Sequence, residues 1–169
     1  MRRVLIHRWI AVVVVLALVG SLSFVFVRAV HKHNEPSAQA HAAMTFFISK
    51  GLTRPQAAGI VGNLMQESRV NPTAVQANGP GQGVAQWSLD QRWNDVLAYA
   101  YSTNRSVWAL LVQLEFIWYD LNSTYASTLT ALRKTTTVED ATLVFEHQYL
   151  RAGRPNMPRR FAMARQLAA

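Results

Sequence analysis

Residues 9–27, WIAVVVVLALVGSLSFVFV, form a run of nineteen residues without a charged side chain. A run of this length can cross a bilayer as a single helix. Basic residues flank it on both sides: Arg2, Arg3, Arg8, Arg28 and Lys32. The positive-inside rule favours a cytoplasmic N-terminus and export of the rest of the chain. We therefore predict a signal-anchor over residues 1–30, which makes the protein a single-pass protein of the inner (cytoplasmic) membrane with its domain in the periplasm.

A cleaved signal peptide is the alternative interpretation of this segment. Its apolar region would exceed the usual length of about 7–15 residues, and the small residues Ala38-Gln39-Ala40 lie too far downstream for a cleavage site. Either interpretation exports the domain that follows. Residues 31–38 are predicted to be a short polar tether, in which His31 and His33 are interpreted as solvated spacers rather than metal ligands.

Residues 39–169 suffice for one compact domain with a substantial core. Strand signals are scarce, whereas apolar residues recur at helical spacing, so we predict an all-α domain of about six or seven helices. Ser37 begins one helical segment that ends at Gly51, and Thr137 begins another as its N-cap. The segment 106–121, SVWALLVQLEFIWYDL, is apolar nearly all round and is predicted to be the central core helix.

The charge of the chain favours an anionic partner. Lys and Arg number 17 against 9 acidic residues, which gives a net charge of +8. Nucleic acid, an acidic membrane surface and an anionic polymer would all suit that charge. We predict no nucleic-acid partner, because no recognition-helix pattern is present and the domain is expected to be exported. The chain has no cysteine, which excludes thiol catalysis, disulfides and cysteine-based zinc sites, and we assign no metal or cofactor.

One glutamate lies within a segment whose apolar spacing otherwise predicts a buried helix. Thr53 to Gln56 has the Thr-x-x-Gln form of a capping box, and Pro72 disfavours helix just before it, so the helix should run from near Arg54 to near Arg69 or Val70. Glu67 follows Ile60 and Leu64 at i, i+4, i+7 spacing and therefore continues their apolar stripe.

A carboxyl group in apolar surroundings at a helix C-terminus should have a raised pKa. Such a group can protonate a leaving oxygen, as the general acid of glycoside cleavage must. The alternative is that Glu67 points to solvent or pairs with Arg69 or Arg92.

Three stretches, taken in order along the chain, carry a family resemblance. AAGIVGNLMQESRVNP at 57–72 is followed by GQGVAQW at 81–87 and by QLEFIWYDL at 113–121. Together they resemble the phage tail lysozyme domain family, which looks related to the goose-type lysozymes and soluble lytic transglycosylases. The resemblance covers residues 39–164 and implies a compact lysozyme-like helical fold.

The resemblance implies a role for each matching residue. Glu67 would be the catalytic acid, and Ser68 its partner in the Glu-Ser pair. The wall of a sugar cleft and a family arginine would be supplied by Gly83, Gln86, Trp87 and Arg92. Further motif positions are matched by Gln113, Trp118, Tyr149 and RAGRP at 151–155. Gln82 departs from the family, where an aromatic residue often stands.

Two of these residues also have a plain structural interpretation. Trp87 could be an ordinary core aromatic, as we expect Trp108 and Trp118 to be. Gln86 could bind a sugar amide or tie the glycine-rich loop to the helix end.

The implied reaction is cleavage of the β-1,4 bond between N-acetylmuramic acid and N-acetylglucosamine in peptidoglycan. The candidates for a second catalytic carboxylate are Asp90, Asp95, Glu115 and Asp120. None of them matches a catalytic position. We therefore expect a single-acid mechanism, either a muramidase using water or a lytic transglycosylase whose substrate 6-hydroxyl attacks. A basic surface of Arg151, Arg154, Arg159, Arg160 and Arg165 would attract the anionic wall.

Such an enzyme would suit local wall opening, with a secretion apparatus or a lysis system as possible partner. Two rivals belong to other functional classes. One is an inactive module that binds the wall without cutting it. The other is a membrane-tethered basic protein that binds nucleic acid, against which the predicted export argues.

Overall fold

The computed structural model describes residues 37–89 and 92–169 of the chain. These ranges contain seven α-helices: α1 (Ala38–Ser49), α2 (Arg54–Ser68), α3 (Arg92–Ser102), α4 (Leu110–Asn122), α5 (Ala126–Lys134), α6 (Val138–Phe145) and α7 (Met157–Ala168). A π-helical turn, Glu146–Leu150, continues α6. The described ranges have no strand beyond isolated bridges that pair Gln82 with Val75 and with Trp87. The predicted all-α class is confirmed.

Several predicted features lie outside the described residues: the anchor over 1–30, residues 31–36 of the tether, and Asp90. Across 37–89 and 92–169, every helix is too short or too polar to traverse a bilayer. The first described helix begins at Ala38, the last residue of the predicted tether.

Helix caps lie where the sequence predicts them. The Ser37 hydroxyl accepts from the Ala40 N–H, and Gly51 has the positive φ of 84° that ends α1. Thr53 and Gln56 form the complete predicted capping box of α2. The Thr137 hydroxyl accepts from the Asp140 N–H at the start of α6. These short-range signals therefore fix the starts of α1, α2 and α6.

The central helix is α2, so the prediction that segment 106–121 would be central is wrong. Residues 56–64 of α2 are buried without interruption, and the helix packs against α1, α6 and α7. Two glycines explain this close packing. A Cβ on Gly59 would lie 2.6 Å from the Ala141 Cβ, and one on Gly62 would lie 2.6 Å from the Ala164 Cβ. Only glycine admits such approach, so neighbouring backbones cover α2 on several sides.

The helix α4 is instead amphipathic. It buries Leu114 and Ile117 but leaves Leu111 and Tyr119 more than half exposed. Trp108 lies in the turn before α4 and is 42% exposed, so the expectation that it is a core residue is wrong. Trp118 packs against the core while partly buried.

The helix α5 was not predicted from the sequence. It is short, and its N-cap residue, Tyr125, makes no side-chain capping hydrogen bond. The local start signal that identified α1, α2 and α6 is therefore missing at this helix.

Candidate active site

The last turn of α2 holds Glu67 at a sharply defined helix end. Arg69 and Val70 both adopt left-handed backbone conformations, with φ of 57° and 60°. Their N–H groups donate to the carbonyls of Met65 and Leu64, at 3.0 and 3.3 Å. The predicted helix end is confirmed. Two successive left-handed residues turn the chain away directly after the Glu67–Ser68 pair.

The carboxylate of Glu67 is paired with Arg160 of α7. The Arg160 Nη2 donates to the Glu67 Oε1 over 2.6 Å, and the two side chains are 2% and 17% exposed. The expected purely apolar surroundings of Glu67 are therefore wrong, and neither Arg69 nor Arg92 is its hydrogen-bonding partner in the described part of the chain. The Glu67 Oε2 makes no hydrogen bond to any other described residue.

The sequence contained a signal for Arg160 that was not used. Arg160, Ala164 and Leu167 follow i, i+4, i+7 spacing and are all buried in α7. This is the same pattern that placed Glu67 on the stripe of Ile60 and Leu64. Two opposite charges, each set within the apolar stripe of a helix, favour each other as partners because neither is readily buried alone.

Ser68 joins the end of α2 to the glycine-rich loop. Its hydroxyl donates to the Val84 carbonyl over 2.8 Å. This contact holds Val84 of the loop next to Ser68, the residue directly after Glu67. The Ser68 hydroxyl therefore helps to fix the local structure at this helix end and is already engaged within the protein.

The loop of residues 71–88 is shaped by one buried amide, that of Gln113 in α4. The Gln113 Oε1 accepts from the Val84 N–H over 2.9 Å, while its Nε2 donates to the carbonyls of Pro72 and Val107. Gly83 has a φ of 66°, and a Cβ on it would lie 2.6 Å from the Gln113 Oε1. Glycine is therefore needed at residue 83 for both its conformation and its space.

Gln86 ties the loop to itself. It has a left-handed φ of 49°, and its Nε2 donates to the Gly83 carbonyl over 2.9 Å. The structural interpretation, in which Gln86 ties the loop to the helix end, is therefore wrong in its partner, because the amide bonds within the loop. Gln82, where the family often has an aromatic residue, is buried and pairs its backbone N–H and carbonyl with those of Trp87 at 2.9 Å.

Trp87 is buried behind the loop, and Arg92 is partly buried at the start of α3. Trp87 is only 2% exposed and meets the Phe116 ring edge-on at 5.7 Å. Arg92 donates to the Tyr149 carbonyl and to Asp120, and its guanidinium lies 4.4 Å from the Tyr149 ring centroid. Trp87 has no face open to a sugar in this arrangement, and the guanidinium of Arg92 is engaged with Tyr149 and Asp120.

The candidate second carboxylates are placed on α3 and α4. Asp120 pairs with Arg92 at 3.1 Å, and Glu115 pairs with Arg105. Burial raises the pKa of Asp120 in spite of its arginine partner. Asp95 is exposed in the first turn of α3. None of these three hydrogen-bonds to Glu67, and Asp90 lies outside the described residues.

The five arginines of the predicted basic surface differ in burial and in their partners. Arg160 is buried, so its inclusion in that surface is wrong, and Arg165 pairs with Glu139. Arg151, Arg154 and Arg159 are exposed. Within residues 37–89 and 92–169, no three His, Asp or Glu side chains are grouped as a metal site would require.

The described part of the chain is similar to a known protein family. Residues 38–169 match the family model described as phage tail lysozyme. The matched region begins with α1 and includes every described helix, Glu67 and the glycine-rich loop. No curated protein matches the chain.

Proposed function

The chain belongs to the phage tail lysozyme family, and we propose that it cleaves the β-1,4 bond between N-acetylmuramic acid and N-acetylglucosamine with Glu67 as its general acid. Family membership supports a lysozyme-like, peptidoglycan-degrading glycoside hydrolase. We add to this the particular bond that is cleaved and the residue that protonates its oxygen.

The position of Glu67 carries the proposal. Its carboxylate lies in the last turn of α2 and is partly exposed, and among residues 37–89 and 92–169 it is held through one of its two oxygens. The adjacent Ser68 connects this turn to the glycine-rich loop. A general acid needs this combination, because the carboxyl group must be held in place and still present an oxygen to a substrate.

The reaction follows from the two oxygens of Glu67. In the protonated acid, Oε1 accepts from Arg160 while Oε2 carries the proton. Oε2 donates that proton to the glycosidic oxygen, the C1–O bond breaks, and positive charge develops on the sugar ring. The charge is then quenched by a nucleophile that bonds to C1, and the proton that this nucleophile loses returns to the Glu67 carboxylate.

The described candidates for a second catalytic carboxylate are compatible with a single-acid mechanism. Asp120 and Glu115 are committed to arginines, and Asp95 makes no hydrogen bond to Glu67. The substrate's acetamido group can assist, with water completing hydrolysis. The alternative is attack by the 6-hydroxyl of the muramic acid itself, which consumes no water and leaves a 1,6-anhydro product. Both outcomes use the same acid.

Digestion of purified peptidoglycan tests this proposal. The full-length protein in detergent is compared with Glu67→Gln, which keeps the shape of the side chain but cannot donate the proton. We expect muropeptide release by the wild type and a loss of about 100-fold or more in the variant. Reducing-end products identify a muramidase, and products lighter by one water identify a lytic transglycosylase. Wall binding without any product from either protein would instead support the inactive binding module.

The location of the enzyme is a further part of the proposal. Residues 9–27 are long enough and apolar enough to anchor the chain in the inner membrane, with the enzymatic domain in the periplasm. An anchored enzyme would open the wall locally, for a secretion apparatus or for lysis. Fractionation of expressing cells tests the anchoring.

A further inference from the structure

We propose that Arg160 is a positioning residue for Glu67: its guanidinium holds Oε1 so that Oε2 alone faces the scissile bond. This inference rests on the proposed function, because it assigns the orientation of that function's acid. It is carried by the geometry around Arg160 rather than by the sequence motifs, none of which includes this arginine.

The Arg160 guanidinium is also held by contacts other than the one to Glu67. The Arg160 Nη1 donates to the Asn63 Oδ1 over 3.0 Å and to the Asn63 carbonyl over 3.4 Å. The Arg160 Nε donates to the Pro155 carbonyl. Because a guanidinium is planar and rigid, these contacts determine the direction in which Nη2 points.

Asn63 is itself held by two helices. Its Nδ2 donates to the Gly59 carbonyl of α2 over 2.8 Å and to the Thr142 carbonyl of α6 over 3.0 Å. With both amide hydrogens committed, the Asn63 Oδ1 is left facing Arg160. Three helices, α2, α6 and α7, thereby determine where the Glu67 carboxylate lies.

The burial of Arg160 is costly if its purpose is only structural. Arg160 is 1% exposed, and a buried ion pair often stabilises a fold no better than apolar residues of similar size. Ala164 and Leu167, on the same stripe of α7, show the apolar alternative. A buried arginine whose remaining N–H group points to one carboxylate is better explained by orientation of that carboxylate.

Three variants of the full-length protein test the inference. Arg160→Gln removes the charge, and Arg160→Lys keeps the charge but loses the planar, multiply bonded group. Arg133→Gln is the control, since Arg133 is exposed at the end of α5 and its loss changes the net charge equally. Muropeptide release is measured per folded protein, with the folded fraction taken from circular dichroism melts, and kcat and KM are determined separately.

We expect both Arg160 variants to lose about 10- to 100-fold in kcat with little change in KM, while the control keeps wild-type values.

The outcomes distinguish a failure of this inference from a failure of the proposed function. An inactive wild type refutes the proposed function itself. An active wild type with wild-type kcat in folded Arg160→Lys refutes only the positioning role. If Arg160→Gln does not fold, the Arg160→Lys result alone decides. A loss of activity that disappears once kcat is expressed per folded protein would indicate a merely structural arginine.

Discussion

The side chain of Tyr149 is the most completely buried polar aromatic of the described residues. Its ring stacks on Phe145 with a centroid separation of 4.7 Å and meets Tyr125 edge-on at 4.9 Å. Its hydroxyl lies near Asp120 and Trp87 without a hydrogen bond of normal geometry. Burial raises the pKa of Tyr149 far above its ordinary value.

This burial makes stability depend on pH in the alkaline range. Because the folded-state pKa is raised, the neutral hydroxyl contributes its full stability below the unfolded pKa of about 10 and loses it as pH rises above that value. We expect the free energy of unfolding of the wild type to fall, relative to Tyr149→Phe, by about 1.4 kcal/mol per pH unit above pH 10. Urea titrations of both proteins between pH 7 and 11 measure this. Parallel curves up to pH 11 would contradict the prediction.

At the scale of elements, the close packing of α2 depends on its small residues. Ala57, Ala58, Gly59 and Gly62 remove side-chain bulk from this helix, so α6 and α7 approach its backbone directly. Glu67 and Arg160 come from two of these helices, and their ion pair forms one turn beyond the contact at Gly62. The position of the Glu67 carboxylate is therefore linked to the distance between the helix backbones.

Gly62→Ala tests that packing. Its Cβ would lie 2.6 Å from the Ala164 Cβ and 2.7 Å from the Ala164 backbone, so α7 must move away. We expect a loss of about 1–3 kcal/mol in the free energy of unfolding, measured by chemical denaturation. Gly153→Ala is the matched control, because a Cβ there meets no atom within 4 Å, and it should change stability by less than about 0.5 kcal/mol. Equal denaturation midpoints for the two variants would show that the helices are not limited by this contact.

At the scale of the whole molecule, an apolar N-terminal run precedes a basic helical domain. The net charge of +8 suits an enzyme that works on an anionic polymer. Of the five arginines predicted to form a basic surface, Arg151, Arg154 and Arg159 are the exposed ones not engaged with a carboxylate in the described structure. They follow the π-helical turn or begin α7, close in sequence to Arg160. The proposed attraction of the wall and the proposed placement of the acid therefore involve the same segment.

Membrane anchoring is the prediction that belongs to this scale. The full-length chain, expressed in a bacterium with two membranes, should sediment with the inner membrane, resist alkaline extraction and be cut by protease in spheroplasts. The double variant Val14→Arg/Leu18→Arg should lose this association, because charge at the centre of a span opposes insertion. A soluble periplasmic wild type whose mass lacks the N-terminal run would show a cleaved signal peptide instead.

The sequence by itself determined the features that depend on nearby residues. Capping residues gave the starts of α1, α2 and α6, and helical spacing placed Glu67 on a buried stripe, because these signals act within one or two turns. Ordered motifs identified the family. The tertiary structure alone decided that α2 is central, that Trp87 is buried behind the loop, that Arg92 pairs with Asp120, and that Arg160 holds Glu67. These contacts join residues far apart in the chain, and their geometry depends on how closely whole helices pack.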